Sequence, residues 1–460
     1  MATHRIRKGL DLPILGDPEQ SLHPAPEITR VALVGDDYPG LRARIHVEEG
    51  DEVRRGQLLF EDKTIPGVRH TSPGAGRVVA IHRGRRRALQ AIVIQLSPAE
   101  RGDDPDAVDH QPFETFRSGD PETLDAASIL ALLVESGLFT AFRARPFAKV
   151  PRPGATPAAI FVNAMDTHPG APSLEVVLAD RIADLQTGLR LLAKLAGDAP
   201  TYLCIKEGST FAAALDAPVE VEEFSGPHPA GTPGLHIHTL APASRKRSVW
   251  YLGAQDVAAV GALFRTGQLP VGRSIALSGP SMKQPRLVRT RLGASIEEHT
   301  FGEIKDGDIR LISGSVVSGK KANGPVFGFL GRYHQQVSAL REGGERKFMG
   351  WISPGVDKFS VIPTFISSLL PKRLYDFDTD TNGSPRAIIP IGMYEKVMPM
   401  DILPTYLLRA LVVGDVETAE QLGCLELDEE DIALCTLVCP GKIEYGPILR
   451  QNLDLIEKEL

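Results

Sequence analysis

The stretch from Leu132 to Phe147 constrains this chain more than any other. An apolar run at helical spacing over 124–135 leads into Ser136 and Gly137, and a glycine there suits the left-handed residue that ends a helix. Asp120, with Pro121 behind it, supplies the expected cap. In a parallel α/β fold, a loop that receives a ligand is rich in glycine, because bare backbone lets phosphate or a flat ring come close. Here the loop carries Phe139, Phe142, Arg143, Arg145 and Phe147. Side chains of that size occupy the room a cofactor would need. The segment reads as a scaffold that kept its fold and lost its ligand.

The pattern around it is that of an α/β domain. A strand is expected at 159–162 and a longer helix follows, with Val177, Ile182, Leu185, Leu189 and Leu192 along one face. A second strand is expected at 201–205. Helices alternating with apolar strands imply a parallel sheet of Rossmann type. Residues up to about 96 read as all-β, with short apolar runs around glycine turns. Their cadence resembles biotinyl and lipoyl carrier domains, but Lys63 is off the pattern for a modified lysine, so an unmodified barrel-sandwich is expected. Beyond 249, a helix at 255–264 ending at Gly267 and strands at 274–278, 286–291 and 308–312 fit a small β-grasp domain of the SLBB kind. From Phe348 onward, prolines alternate with helical runs at 402–413, 416–422, 429–437 and 448–460. The expected class is therefore α+β multidomain: a barrel-sandwich over 1–105, a Rossmann-like domain over 106–248, a β-grasp domain over 249–331 and a helical domain over 332–460.

At 460 residues the chain exceeds what one core supports. Its net charge of −7 argues against nucleic-acid binding, and the basic run Arg83, Arg85, Arg86, Arg87 reads as a hairpin tip. No apolar run approaches the roughly 20 residues that span a bilayer, and the basic N-terminus lacks an apolar signal core. Four cysteines in so long a chain, Cys204, Cys424, Cys435 and Cys439, fit a reducing compartment.

Several chemical motifs fail on inspection. Gly314 to Lys321 matches a phosphate-binding loop for seven positions, then offers Lys321 where a magnesium-ligating hydroxyl is required, and Pro325 follows too closely for a helix. Cys435 and Cys439-Pro440 resemble the end of an iron–sulfur motif, but Cys424 alone lies near, and four thiolates are needed. Buried structural thiols are the expected role. His228, His236 and His238 lie among prolines and glycines with no metal spacing. The loop at 163–170, Asn-Ala-Met-Asp-Thr-His-Pro-Gly, follows a predicted strand, where open α/β sheets bind ligands. It resembles the acidic loop of the complex I flavin subunit, with Met165 and His168 replacing two acids.

These pieces, together with Lys8-Gly9-Leu10-Asp11-Leu12-Pro13-Ile14, the segments at 226–231, 283–290 and 331–334, Thr381-Asn382-Gly383, and the runs 397–404, 425–431 and 435–445, resemble one family over its full length: the A subunit of the sodium-translocating NADH:quinone oxidoreductase. The resemblance implies a peripheral protein on the cytoplasmic face of the bacterial inner membrane. It would be one of six in the complex and dock chiefly on the membrane-embedded B subunit. It implies no redox cofactor in this chain, with NADH, FAD, FMN and iron–sulfur sites on other subunits and ubiquinone as substrate of the whole. Tyr38, Phe139, Phe142, Arg143 and Phe147 become candidates for quinone contact. The competing expectation is a flavin- or iron–sulfur-binding NADH dehydrogenase module.

Overall fold

A computed structural model describes residues 2–24, 26–102, 108–344, 352–370 and 373–459. The expected domain boundary at 105/106, the start of the C-terminal region at Phe348 and the helix end at Leu460 lie outside the described residues.

The described residues form three β-assemblies and a helical bundle. The barrel-sandwich has a four-stranded sheet ordered Arg30–Val34, Leu89–Leu96, Gly76–Arg83, Glu52–Val53, and a three-stranded sheet ordered Ala43–Ile45, Leu58–Asp62, Arg69–Thr71. Alternating strand residues Val31, Leu59, Val78, Ile92 and Ile94 fill it. Lys63 is exposed in the turn after Leu58–Asp62.

The α/β sheet runs Thr3–Arg5, Glu220–Ser225, Thr201–Lys206, Ile160–Asn163, Val249–Gly253, Arg143–Arg145, and is parallel except for the last strand. Helices Ala126–Glu135, Ile182–Ala196 and Ala254–Thr266 cover one face, burying Leu132, Leu133, Leu185, Leu189, Leu192, Val257 and Leu263 against Ile160, Val162, Leu203, Ile205 and Leu252. The second and third of these helices touch backbone to backbone. A Cβ on Gly188 would collide with the Val257 carbonyl oxygen, and one on Gly261 with that of Asp184. Helix Pro233–Leu240 lies on the other face, where its Ile237 packs with Phe161, Cys204 and Phe224.

The third sheet runs Lys320–Lys321, Ile309–Ser313, Gln336–Arg341, Gly272–Ser278, Arg286–Arg291, Glu19–Pro24, with Ile275, Leu277, Val288, Ile296 and Val337 as its core. Helices Met393–Val397, Pro404–Val413, Val416–Gln421, Ala433–Val438 and Tyr445–Lys458 pack around Leu407, Leu411, Leu449, Leu453 and Ile456.

Several details depart from the sequence reading. Asp120 caps only the 3-10 turn Pro121–Thr123, and Asp125 caps the helix, its carboxylate accepting from the Ser128 amide at 2.9 Å. The expected long helix is two helices, Leu174–Leu178 and Ile182–Ala196, because Arg181 leaves the helical region (φ −124°, ψ 17°). Sheet membership also moves the segment limits. Val249–Gly253 hydrogen-bonds to Ile160–Asn163, so it and the following helix belong to the α/β layer, not to the β-grasp unit expected from 249. Gln336–Arg341 is a central strand of the third sheet, beyond the expected limit at 331. Thr3–Arg5 and Glu19–Pro24 leave the expected 1–105 unit to edge the other two sheets.

Candidate functional site

The aromatic loop begins where helix Ala126–Glu135 ends. Gly137 adopts φ 78° and lies so close to Thr71 that a side chain there would collide with it. Thr71 Oγ1 donates to the Ser136 carbonyl at 2.7 Å, fixing the loop to the barrel-sandwich. Phe139 and Phe142 then turn inward. Their ring centroids lie 5.4 Å apart and 5.9 and 5.7 Å from Trp250, and all three rings are buried in the apolar core. Phe147 is half-buried against the helical bundle. Tyr38 is buried edge-on to His70 and lines a void of about 40 Å³.

A larger cavity, about 100 Å³, opens at the carboxyl ends of strands Ile160–Asn163 and Val249–Gly253, the edge where open α/β sheets receive ligands. Of the five candidate contact residues only Arg143 lines it; Phe139 and Phe142 pack in the core behind. Arg143 is held between the rings of Tyr251 and Tyr333, 4.8 and 4.7 Å from their centroids, and 3.3 Å from Asp428 Oδ2. Sites that take cofactors measure roughly 300–1,000 Å³, so the space left here is several times too small for an isoalloxazine.

Of the acidic run Asp428-Glu429-Glu430-Asp431, Glu430 lines this cavity. Asp431 is 2.9 Å from Arg145, which is wholly buried, and Asp431 Oδ2 also accepts from the Asp428 amide at 2.8 Å. Its carboxylate packs against Gly234 in the first turn of helix Pro233–Leu240, so closely that a Cβ on that glycine would clash. Arg450 reaches Asp428 at 3.3 Å and Glu429 at 2.6 Å. Burial, with the neighbouring Asp428 charge, pushes the Glu429 carboxyl up to about 7, and burial also raises Glu430.

His168, in the 163–170 loop, links both sides. Its Nδ1 is 2.7 Å from Asp166, and its Nε2 is 3.3 Å from Glu430 and 3.2 Å from Ser318 Oγ. Burial opposes its charge, but the Asp166 carboxylate outweighs burial, with help from Glu430, and its pKa rises to about 9. His228, with its ring 4.4 Å away, is driven well below the usual value by burial and by the His168 charge. The Gly314–Lys321 segment is a tight hairpin between Ile309–Ser313 and Lys320–Lys321, and it lines this cavity through Gly314, Ser315 and Ser318.

A second buried group, Asp256 with Arg273 and Arg332, closes the cavity floor; Arg332 Nη1 lies 2.9 Å from the carboxylate. Sequence reasoning does not single out Tyr251, Tyr333, Asp256, Arg273, Glu430 or Arg450. The four consecutive acids are the available signal, since such a run can be buried only against bases.

The cysteines are all buried and unpaired. Cys439 Sγ lies 3.2 Å from the Tyr394 hydroxyl and 3.4 Å from that of Tyr445. His236 Nε2 and the Ala230 carbonyl are 2.9 Å apart, and His238 Nδ1 is 2.7 Å from Glu426. Among the described residues no group of three or more metal-ligating side chains occurs, and no helix is long and apolar enough to cross a membrane.

Comparison with known proteins gives consistent matches along the chain. Residues 4–97 match the NqrA N-terminal barrel-sandwich hybrid domain, 124–269 the NqrA second alpha/beta domain, and 274–324 the NQRA C-terminal domain. The A subunits of the Na(+)-translocating NADH-quinone reductases of Saccharophagus degradans and Cellvibrio japonicus are 50% and 51% identical to it, and that of Serratia proteamaculans is 50% identical. Each alignment covers 455 residues, 99% of both chains.

Proposed function

Because this chain belongs to the family of A subunits of the Na(+)-translocating NADH-quinone reductase, a translocase of the respiratory chain, we propose that it is the peripheral, cofactor-free member of that enzyme. In this reading it lies on the cytoplasmic face, docks the membrane subunits, chiefly the B subunit, and helps shape the ubiquinone site, while flavin, iron–sulfur and NADH chemistry proceeds elsewhere in the six-subunit complex. The observation that carries the reading is the cavity of about 100 Å³, its walls taken by Arg143, Tyr251, Tyr333 and Glu430.

Docking finds support on helix Pro404–Val413, where Tyr406 and Val413, seven residues apart on one face, are 62% and 77% exposed, with Leu403 beside them at 60%. Apolar side chains gathered on one face mark an interaction surface. The share in quinone binding runs through Arg143 at the cavity wall, while Tyr38, Phe139, Phe142 and Phe147 act by packing the loop that carries it.

Three measurements test this. The purified chain should show no stoichiometric flavin absorbance after gel filtration; a full equivalent of FMN or FAD overturns the cofactor-free assignment. Tyr406→Glu with Val413→Glu should lower recovery of the chain with the membrane subunits, and unchanged recovery moves the docking surface elsewhere. Arg143→Lys should raise the complex's KM for quinone several-fold and leave NADH oxidation by an artificial acceptor intact. Equal loss in both assays assigns Arg143 to structure alone.

A further inference from the structure

The longest hairpin of the barrel-sandwich joins strands Gly76–Arg83 and Leu89–Leu96. Its tip is locked by short backbone bonds, from the Gly84 amide to the Ala88 carbonyl at 2.8 Å and from the Arg87 amide to the Gly84 carbonyl at 3.1 Å. Arg83, Arg85, Arg86 and Arg87 are all exposed on it. Among the described residues, none of the four has a carboxylate within ion-pair distance. On the surface, Arg190, Arg245 and Arg289 are each matched to an acid. The nearest acid in the hairpin's hydrogen bonding, Glu49, is engaged with the Ile81 amide at 2.8 Å. Arg86 and Arg87 also hold left-handed backbones, φ 54° and 61°. Two consecutive non-glycine residues in that region are unfavourable for folding, so the sequence keeps arginine where glycine or asparagine would fit better.

We propose that this tip is an electrostatic contact to anionic phospholipid headgroups. The inference rests on the peripheral position proposed above. Four unneutralised charges sit on a loop with no large apolar side chain, so the contact is to headgroups without insertion. Screening confines the attraction to about 10 Å, so the tip responds to the surface beneath it and not to the acidic balance of the whole chain. Clusters of this size next to a bilayer bind acidic lipid, each residue strengthening binding roughly fivefold.

The test uses the full chain and sedimentation with vesicles, either of phosphatidylcholine alone or with about one-third phosphatidylglycerol. Wild type should bind the anionic vesicles, release them at high salt and ignore the neutral ones. Arg86→Gly with Arg87→Gly removes two charges while suiting the backbone, so the variant should melt no lower than wild type. Its affinity for anionic vesicles should fall about 25-fold. Equal binding to both vesicle types, no binding by wild type, or unchanged binding by the variant each overturns the proposal. So does a variant that binds vesicles normally but no longer assembles with the other subunits, which makes the tip a protein contact. Failure of the peripheral placement itself is read separately, as absence of the chain from purified complex when vesicle binding is intact.

Discussion

The two working surfaces of the α/β sheet are built on opposite principles. Its helix-covered face is dry: leucines and valines at helical spacing meet strand residues Ile160, Val162, Leu203 and Leu252, and two glycines let the helices Ile182–Ala196 and Ala254–Thr266 touch. Its carboxyl edge is charged: Arg143, Arg145, Arg450 and His168 face Asp428, Glu429, Glu430, Asp431 and Asp166. The first gains stability from removing apolar area from water and is limited by shape. The second must keep each charge matched, because a buried ion without its partner costs several kcal/mol. One surface should therefore respond to volume, the other to charge and pH.

The largest effect is expected where a matched charge is broken. Arg145→Ala leaves Asp431 and Asp428 buried against one fewer base and should lower unfolding stability by about 3–5 kcal/mol, read from urea midpoints. Arg145→Met combined with Asp431→Leu should recover most of that loss. A double variant as weak as the single would show that shape, not charge, governs this edge, and the contrast would collapse. On the dry face, Gly261→Ala drives a methyl into the Asp184 carbonyl and should cost about 2–3 kcal/mol with no pH dependence.

A pH series sharpens the distinction further. The folded pKa of His168, about 9, lies above the value of roughly 6.5 for an unfolded histidine. Its stabilisation is thus complete below about pH 6.5 and is lost as pH rises through about 9, a change on the order of 3 kcal/mol. Urea midpoints should fall over that window in wild type and stay flatter in His168→Asn; parallel curves would remove His168 from the charged edge's pH response. The smallest change belongs to Asp125→Ala, which removes a helix cap on the dry side and should cost about 1 kcal/mol at any pH above the carboxylate range.

The same contrast explains what can be read from sequence. The helices and strands of the dry face are legible because apolar spacing reports burial directly, so the expected 201–205 and 255–264 fall within a residue or two of the observed elements. Which sheet a strand joins is less legible. Val249–Gly253 is apolar whichever layer it enters, and its partner Ile160–Asn163 lies some ninety residues earlier. The charged edge is hardest. Asp428 to Asp431 and Arg143 to Arg145 are separated by nearly three hundred residues, and nothing local in either run says that it neutralises the other. Phe139 and Phe142, the bulk that marks this loop in the sequence, pack in the core, and it is Arg143, Tyr251, Tyr333 and Glu430 that line the cavity.

The first two dozen residues have a consequence for how the molecule can be taken apart. Thr3–Arg5 adds a strand to the α/β sheet, Glu19–Pro24 adds one to the third sheet, and the chain enters the barrel-sandwich only at Arg30. The leading segment is a stitch through two bodies, made before either exists on the ribosome. A protease that nicks the connections between domains should yield fragments that still migrate together on a native gel, because this thread stays woven into both sheets. A truncated chain begun at residue 26 should expose the edges Glu220–Ser225 and Arg286–Arg291, two unpaired strand rims of the kind that recruit neighbouring chains.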